Sequence, residues 1–345
     1  MLGKVLSAKF LRRFNRVAVP YKINLFLTYR CNQRCRTCFI WKKYVESPKL
    51  KDKELTKEEW GKFFQNLGSN LYWLSISGGE PFIRKDLIDI IESISSKNLS
   101  ILSMNTNGIL SEKIFNDIQK IMKILPQKSK FFLTVSLNGF ERTHNLIAGV
   151  KSYERAENTY ALLKTLQTKM SNFYVEREVT VSKYNLKELK AIIDSFNRKR
   201  IPFTLTFAQE SEFYDNVDKK VMLSQNDKFA LANILRKIKI PIYKKEDLIK
   251  RMFKKLAIRS FENPGQPIPC YSSWSSLRID PYGNVYPCII LNDIIGNLKE
   301  NDLDLKKTLM NSNIKAIQKR IKSNGCSCWT PCEAYLTILQ NFPFI

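Results

Sequence analysis

Three of the eight cysteines lie close together near the amino end of the chain. Cys31, Cys35 and Cys38 stand in the segment TYRCNQRCRTCFIW, separated by three and then by two residues. Three thiolates at this spacing can bind one side of a compact iron–sulfur cluster, and one iron is then left open to another ligand. Zinc is the alternative, but a structural zinc site needs four ligands and no fourth one is nearby. Because three is odd and cysteines are sparse in this chain, a disulfide framework is not expected.

Glycines and polar residues follow the predicted second strand, in the segment Ser77-Gly78-Gly79-Glu80-Pro81. Glycines without side chains let the backbone approach a ligand closely, and the Glu80 carboxylate can accept hydrogen bonds from an ammonium group. The alternative interpretation is an ordinary turn between a strand and a helix.

Further polar segments follow the next three predicted strands. They are Asn105-Thr106-Asn107-Gly108, Ser136-Leu137-Asn138-Gly139, and the group Thr180, Ser182 and Asn185. Such residues are also common in turns. The last group is a candidate for contacts with a ribose or a carboxylate.

The chain has a single histidine, His144, in the segment RTHNLIAGV. One histidine almost removes Ser–His–Asp chemistry, His-rich metal sites and His acid–base pairs from consideration. For His144 itself a structural role and a catalytic role are both open. The cysteines must therefore carry any unusual chemistry.

Strands and helices alternate from residue 22 to about residue 210. Six short runs predict strands: 23–28, 72–77, 101–104, 131–137, 175–181 and 203–207. Five helices are predicted between them: after a capping box of Thr56 and Glu59, from Asp86, after a cap at Ser111, over 153–168 and over 186–197. This alternation predicts parallel βαβ units with right-handed crossovers.

The length of this region limits the barrel that it can form. Roughly 185 residues are too few for the roughly 250 of an eight-stranded barrel, so we predict an α/β fold with a partial (βα)6 barrel over 22–212. In such barrels the chemistry lies at the carboxyl ends of the strands, where the polar segments fall. The other predicted regions are a basic amino-terminal segment over 1–21, a linker of basic helices over 213–262, and a small Cys-rich module over 263–345, where Pro, Gly, Ser and Cys become frequent.

The chain is strongly basic, with 57 Lys and Arg against 32 Asp and Glu and a formal charge of +25. Basic runs of this kind usually lie on solvated helix faces. The alternatives with a functional role are that they bind an acidic peptide or a nucleic acid, or that the basic amino-terminal segment contacts an anionic membrane surface. No nucleic-acid-binding motif is present. No apolar run approaches the roughly 18 residues of a membrane span, and charges interrupt the region where a secretory signal would lie, so a cytoplasmic protein is expected.

The segment CNQRCRTC resembles the CxxxCxxC motif of the radical S-adenosylmethionine (SAM) superfamily. The resemblance implies that Cys31, Cys35 and Cys38 hold a 4Fe–4S cluster whose open iron binds the amino and carboxylate groups of SAM. Reductive cleavage of SAM there would give a 5′-deoxyadenosyl radical that abstracts a substrate hydrogen.

The strand-end segments also resemble motifs of this superfamily. Residues 78–81 resemble GGEP, which holds the methionine amino group, and 105–108 resemble its TNG turn. Residues 136–139 resemble SLDG, with Asn138 in place of the charged Asp, and His144 falls in a stretch similar to H-x-x-I-x-G. The resemblance implies that SAM contacts come from Gly78, Gly79, Glu80, Pro81, Asn105, Asn107, Ser136, Asn138, Thr180 and Ser182; no catalytic residue is assigned.

The carboxyl-terminal cysteines resemble those of a SPASM or shorter Twitch module, which carries auxiliary 4Fe–4S clusters. They are Cys270, Cys288, Cys326, Cys328 and Cys332. Two fully ligated clusters would need eight thiolates, so five favour one auxiliary cluster. Cys270 and Cys288 adjoin a predicted hairpin that turns at 281–284 and are the expected first ligands, and CWTPC favours Cys328 and Cys332 as the others. Cys326 would be spare or an alternative ligand, and zinc is the alternative metal.

These observations predict a radical SAM enzyme that modifies a peptide or protein, or oxidises a small molecule. The expected partners are a flavodoxin- or ferredoxin-like electron donor and a peptide or small-molecule substrate. Acidic groups on the substrate would complement the basic surface of the protein. The alternative is a non-catalytic, zinc-stabilised protein that binds anionic partners through that surface.

Overall fold

The computed structural model describes residues 2–68, 71–95, 99–242, 247–263, 265–323 and 328–342. Within this part of the chain, nine strands form one sheet in the order β6-β5-β4-β3-β2-β1-β7-β8-β9. The strands are β1 (Lys22–Phe26), β2 (Trp73–Ser77), β3 (Ile101–Thr106), β4 (Lys130–Ser136), β5 (Phe173–Val181), β6 (Phe203–Phe207), β7 (Ser276–Ile279), β8 (Asn284–Tyr286) and β9 (Gly296–Asn297).

The first six strands pair in parallel with their neighbours along the chain, as the alternating pattern predicted. In the register of the sheet, Leu25 of β1 lies opposite Ile76 of β2, and Ile76 lies opposite Met104 of β3. β6 stays at one edge, so the sheet is open and the partial (βα)6 barrel is confirmed.

The helices lie outside the sheet, and all except α2 contain buried residues. They are α1 (Leu2–Arg13), α2 (Lys43–Glu46), α3 (Lys57–Leu67), α4 (Leu87–Ser95), α5 (Ser111–Ile124), α6 (Glu141–Ala148), α7 (Tyr153–Gln167), α8 (Leu189–Arg198), α9 (Gln225–Lys237), α10 (Asp247–Glu262), α11 (Leu305–Met310), α12 (Ile314–Lys322) and α13 (Pro331–Asn341). The predicted capping box is present: Thr56 accepts from the Glu59 N–H, and the Glu59 carboxylate accepts from the Thr56 N–H. No described helix is long and apolar enough to cross a membrane.

Ser111 does not cap α5, which corrects one prediction. Leu110 occupies the cap position, and Ser111 is the first residue of the helix. Its hydroxyl instead bonds with Thr159 Oγ1 at 2.7 Å and donates to Arg155 O at 3.2 Å. Contacts with α7 therefore replace the local cap, because two nearby partners compete for the hydroxyl.

Six of the described helices were not predicted: α1, α2, α6, α11, α12 and α13. α1 lies in the basic amino-terminal segment and buries Val5 and Ala8. α6 contains His144, for which only a position after a strand was predicted. With eight residues, α6 has a periodicity that is hard to distinguish from a loop pattern.

The carboxyl-terminal elements continue the barrel sheet. β7 pairs in parallel with β1, with Leu277 opposite Ile23, and β8 returns antiparallel to β7. The hairpin between them is the predicted one, and the Asp280 carboxylate accepts from the Tyr282 and Asn284 N–H groups at 2.9 Å. The division of the chain into four regions stays a prediction.

Candidate active site

The carboxyl ends of β1 to β6 surround an open cavity of about 240 Å³. Most of the predicted site residues line it: Cys31, Cys35, Cys38, Gly78, Gly79, Glu80, Asn105, Asn107, Ser136, Asn138, Thr180 and Cys332. Its lining does not include Pro81, Ser182, Cys270, Cys288 or Cys328. Residues 31–38 form the cysteine loop on one side, and the strand-end segments meet around it as expected for a barrel.

Two glycines let the backbone that enters the cysteine loop lie against the end of β2. The Gly79 N–H donates to Thr28 O at 2.7 Å, and the Glu80 N–H donates to Arg30 O at 2.8 Å. A Cβ atom would lie 2.3 Å from Thr28 O if added at Gly78, and 2.1 Å from Arg30 O if added at Gly79. Any side chain at these positions would therefore displace the loop.

The end of α6 supports the other side of the cysteine loop. Arg34 N–H donates to Ala148 O at 2.9 Å, and Arg36 N–H donates to Ile147 O at 2.8 Å. Gly149 ends the helix with a φ of +68°, and a Cβ atom there would lie 2.3 Å from Arg34 O. This anchoring role was missed, since nothing in the sequence connects the two segments.

The Glu80 carboxylate joins the ends of β2 and β3. Its oxygens accept from Thr106 Oγ1 at 2.9 Å, from the Asn107 N–H at 2.8 Å and from the Phe82 N–H at 3.3 Å. Burial raises the pKa of Glu80 to about 7, against these hydrogen bonds that lower it. Binding of an ammonium group by Glu80 stays a prediction.

The sulfurs of the cysteine loop are suited to a bound cluster. Cys31 Sγ accepts from the Gln33 N–H at 3.5 Å and faces Asn107 Nδ2 at 3.9 Å, and such donors stabilise a metal-bound thiolate. Burial raises the pKa of Cys31 to about 12 and that of Cys38 to about 11, and it raises the pKa of Cys35 as well. Free thiols would therefore keep their protons at neutral pH, and binding to a cation would convert them to thiolates.

Among the described residues, no three His, Cys, Asp or Glu side chains are grouped closely enough to hold one metal ion. The seven described cysteines are also free of disulfides.

Asn138 and Asn185 hold the ends of β4 and β5 together. Asn138 Oδ1 accepts from the Thr180 N–H at 2.8 Å, and Asn185 Nδ2 donates to Asn138 O at 2.8 Å and to Thr180 O at 2.9 Å. The Ser182 N–H donates to Asn185 Oδ1 at 2.8 Å. Ser182 and Asn185 are fully buried in this network, so Ser182 lies behind the cavity wall rather than on it.

Glu178 on β5 is a site residue that the sequence analysis missed. It lines the cavity beside Asn105, whose Nδ2 donates to Glu178 Oε2 at 3.0 Å. Burial raises the pKa of Glu178 to about 7. The available signal was its position two residues before Thr180, which puts both side chains on one face of the strand.

His144 has the structural environment of a buried, neutral imidazole. Nδ1 accepts from the Asn138 N–H at 3.2 Å, and Nε2 lies 3.0 Å from Ser152 Oγ. Burial, aided by the charge of Arg177, lowers the pKa of His144 to about 4. His144 does not line the cavity.

The carboxyl-terminal cysteines come from three separate segments. Cys270 precedes β7, Cys288 follows β8, and Cys332 lies in the first turn of α13. Cys332 packs with Cys38 against one apolar cluster, formed by Phe26, Tyr29, Ile40, Phe213 and Ile289. Cys288 Sγ accepts from the Leu291 and Ile290 N–H groups at 3.2 and 3.4 Å. Cys328 is partly buried, and Cys326 lies outside the described residues.

Buried charged groups bind α13 to the barrel beside Cys332. Lys22 of β1 donates from Nζ to Cys332 O at 2.6 Å, and Asn24 Nδ2 donates to Glu333 Oε1 at 3.1 Å. The other Glu333 oxygen accepts from the Ser272 hydroxyl at 3.0 Å and from the Ser276 hydroxyl. Burial raises the pKa of Glu333 and lowers that of Lys22.

Glu333 is also close enough to influence two thiols. Burial and the negative charge of Glu333 raise the pKa of Cys288. They also raise the pKa of Cys332, to about 11. Cys270 also contributes to the raised pKa of Cys288. The buried carboxylate therefore lies within electrostatic range of thiols from two of the three segments.

Comparison with known protein families matches both parts of the chain. Residues 25–196 match the model of the radical SAM superfamily. The chain belongs to the radical SAM superfamily. Residues 270–333 match the SPASM model, an iron–sulfur cluster-binding domain. Both resemblances predicted from the sequence are thus confirmed, and membership implies SAM, its 4Fe–4S cluster and an auxiliary cluster as cofactors.

Curated relatives of this radical SAM protein are similar over part of their length. Fe-coproporphyrin III synthase of Methanosarcina barkeri is 28% identical over 177 residues, which are 51% of this chain and 41% of that protein. A probable GTP 3′,8-cyclase of Methanococcus vannielii is 37% identical over 97 residues, which are 28% of this chain and 31% of that protein. The chain thus spans less than half the length of these relatives.

Solved structures share the fold over most of the chain. Streptococcus suis SuiB bound to precursor peptide SuiA has a TM-score of 0.61 at 16% identity, covering 89% of this chain and 68% of that chain. Native anSMEcpe with bound AdoMet and Kp18Cys peptide has a TM-score of 0.60 at 16% identity, covering 94% of this chain and 98% of that chain. These similarities show that the chain shares its overall fold with both proteins.

Proposed function

We propose that this protein cleaves SAM reductively at a 4Fe–4S cluster and abstracts a hydrogen atom from a peptide or a small molecule. When bound, the cluster and SAM supply the radical chemistry, and the protein supplies their positions and excludes water. The observation that carries the proposal is the meeting of the cysteine loop, the glycine pair and the 105–107 segment at one cavity.

The two sides of the cavity would have different binding roles. On one side Cys31, Cys35 and Cys38 would hold the cluster. On the other side the Asn105 and Thr180 side chains, with others of the polar wall, offer hydrogen-bonding groups to SAM or to a substrate. Glu178, with its pKa of about 7, can hold or release a proton at this wall near neutral pH.

A second cluster would be held by Cys270, Cys288, Cys328 and Cys332. The backbone N–H groups that face Cys288 and the electrostatic effect of Cys270 on Cys288 support this assignment. Cys326 would then be spare. A Cys326→Ala variant is expected to keep all of its iron, whereas Cys288→Ala should lose the second cluster; iron loss from Cys326→Ala would contradict this ligand set.

Positively charged side chains lie close to two aromatic rings near the cysteine loop. Their charge favours an anionic substrate. The Arg34 guanidinium lies 4.8 Å from the Trp41 ring centre, and Trp41 lines the cavity. Lys42 and Lys219 lie 5.5 and 5.9 Å from the Phe39 ring centre. We expect a peptide with acidic side chains to accelerate 5′-deoxyadenosine formation more than the same peptide with amide side chains.

Anaerobic reconstitution with iron and sulfide tests the enzyme against the zinc-stabilised alternative. The enzyme should be brown, carry roughly eight irons per chain for two clusters, and release 5′-deoxyadenosine from SAM only with dithionite. A colourless protein that takes up zinc and leaves SAM intact would support the non-catalytic alternative instead.

A flavodoxin- or ferredoxin-like protein in the cytoplasm is the proposed electron donor. Such donors are small acidic proteins, and the charge of +25 would attract them at low ionic strength. Reduced flavodoxin should replace dithionite in the cleavage assay, and added salt should slow that reaction more than the dithionite reaction.

The outer face of α1 is proposed to contact an anionic membrane. Leu6, Phe10 and Phe14 follow one another at helical spacing and are 54%, 53% and 56% exposed. The α1 sequence contains four cations and no acid, a combination typical of helices that lie on anionic lipid.

Flotation of the reconstituted enzyme with vesicles tests this contact. We expect binding to phosphatidylcholine vesicles that contain phosphatidylglycerol, weaker binding at high salt, and loss of binding on Leu6→Ser/Phe10→Ser/Phe14→Ser substitution. Phe229→Ser, which changes an exposed aromatic residue on α9, is the matched control. Equal binding by both variants, or no binding by the wild type, would contradict the contact.

A further inference from the structure

A chain of buried polar groups leads from the end of β4 to the cysteine loop. Its side chains are His144, Ser152 and Gln33, which are 1%, 1% and 5% exposed. Burying polar groups is costly unless each has a partner, so their arrangement needs an explanation that the packing alone does not give.

The first two bonds of the chain have a defined direction. Because His144 Nδ1 accepts from the Asn138 N–H, the hydrogen of the neutral ring must be on Nε2. Nε2–H then donates to Ser152 Oγ at 3.0 Å. The Ser152 hydroxyl hydrogen is left free to donate to another group.

Gln33 connects Ser152 to the cysteine loop. Gln33 Nε2 lies 3.2 Å from Ser152 Oγ, and Gln33 Oε1 lies 3.1 Å from Cys35 Sγ. This orientation suits a protonated Cys35, whose S–H donates to the amide oxygen. A thiolate bound to iron has no hydrogen, so Oε1 and the sulfur would then be two acceptors in contact.

Reversing the amide group removes this conflict. With its oxygen and nitrogen exchanged, Gln33 donates from Nε2 to the Cys35 sulfur and accepts the Ser152 hydroxyl hydrogen at Oε1. Within the described part of the chain, the other acceptor for that hydroxyl is Val150 O, at the longer distance of 3.5 Å. Every group in the chain then has a partner, and all the bonds point toward the sulfur.

We propose that His144 and Ser152 are positioning residues that orient the Gln33 amide to donate a hydrogen bond to the Cys35 sulfur when that sulfur ligates a cluster. This inference rests on the proposed function, since it requires a cluster at the cysteine loop. Hydrogen bonds to ligand sulfurs stabilise the extra electron of the reduced cluster and so raise its reduction potential.

The reduction potential of the first cluster provides the test. It is measured by EPR-monitored titration of the reconstituted enzyme, on the signal that is absent from the Cys31→Ala/Cys35→Ala/Cys38→Ala variant. Ser152→Ala and Gln33→Glu should both lower this potential, because the first no longer orients the amide and the second has no amide N–H to donate. Ser152→Thr, which keeps a hydroxyl, should preserve it.

Ser129→Ala is the matched control, since Ser129 is also fully buried and its hydroxyl donates to Leu99 O, away from the cysteine loop. It should leave the potential unchanged. Unchanged potentials in both Ser152→Ala and Gln33→Glu would overturn the inference.

A second measurement does not depend on any variant. With 15N-labelled glutamine, pulsed EPR of the reduced wild-type cluster should detect a nitrogen coupled to it, and Ser152→Ala should weaken that coupling. A first cluster with no such coupling overturns the inference alone. Wild-type protein that forms no cluster at the cysteine loop overturns the proposed function itself.

Discussion

The two cysteine regions of this protein are held in place by different kinds of interaction. The cysteine loop has three cysteines within eight consecutive residues, and it is held by close packing at glycines, by backbone N–H groups and by the Arg34 side chain, which donates to Cys31 O and Gln33 O. The carboxyl-terminal cysteines come from three segments, and buried charged residues such as Lys22 and Glu333 hold those segments together. Cys38 of the first region and Cys332 of the second pack against the same apolar cluster.

The difference follows from how the ligands are distributed in the sequence. Consecutive ligands need only a loop of fixed shape, which close backbone packing against Gly79 and Gly149 provides. Dispersed ligands need bonds between distant segments. A buried carboxylate with several hydrogen-bond donors fixes such segments firmly, because breaking the set leaves an uncompensated charge.

The largest expected effect is on the chemistry of the first region. The Cys31→Ala/Cys35→Ala/Cys38→Ala variant should lose SAM cleavage to background, because no ligand to the first cluster is left, and should keep roughly four of roughly eight irons. Iron analysis and 5′-deoxyadenosine release measure the two quantities. Loss of both clusters, or of neither, would show that the two regions are not separate.

Next in size is the removal of a buried charge from the second region. Lys22→Met leaves Glu333 without its nearby cation and Cys332 O without its donor, so we expect a loss of about 3–5 kcal/mol in the free energy of unfolding. Urea unfolding measures this loss. Lys57→Met, which breaks the exposed contact with Asp89, should leave the midpoint unchanged. Similar midpoints for the two variants would mean that buried charge does not hold the second region.

Backbone packing in the first region predicts a smaller effect. Gly149 has a left-handed backbone, with φ of +68° and ψ of 11°, and a Cβ atom added there would lie 2.3 Å from Arg34 O in the cysteine loop. Gly61 of α3 has room for a Cβ atom, so Gly61→Ala is the control. We expect Gly149→Ala to lose about 1–3 kcal/mol in the free energy of unfolding and to lose first-cluster iron, whereas Gly61→Ala should lose neither. Unchanged stability and iron content in Gly149→Ala would show that the loop is not held by this contact.

The smallest expected effect concerns the neutral His144. Its pKa falls from 6.5 to about 4 on folding, so the unfolded chain binds more protons between these values. Stability contributed by the neutral imidazole is therefore present above pH 6.5 and is lost as the pH falls toward 4. Between pH 7 and pH 5, wild-type apoprotein should lose about 1–2 kcal/mol more than His144→Gln in urea unfolding. Parallel losses would indicate a protonated His144 in the folded state.

The barrel and the cysteine loop could be predicted because their signals are local. Apolar runs located all six barrel strands to within one or two residues, with 203–207 matching β6. The predicted and observed strand ends differ because strand length is set by pairing with a neighbouring strand. Lys22, for example, pairs with both Trp73 and Ser276. The CxxxCxxC spacing needs no partner from elsewhere in the chain.

Contacts between distant segments could not be predicted. Ser111 has the residue type of a cap, yet its hydroxyl forms a hydrogen bond with Thr159 of α7 instead. The role of Gly149 depends on the approach of Arg34, and that of Lys22 depends on α13. Each of these roles is defined by a residue that is far away in sequence, so local pattern carries no information about it.

The pairing of β1 with both β2 and β7 sets the order in which the molecule can be assembled during translation. β1 acquires one neighbour early, when residues 73–77 leave the ribosome, but its other edge stays unpaired until residues 276–279 emerge. The cysteine loop follows β1 directly, whereas Cys332 is synthesised 294 residues after Cys38. An iron–sulfur carrier could therefore reach the first three thiols on the nascent chain before α13 covers that side of the barrel.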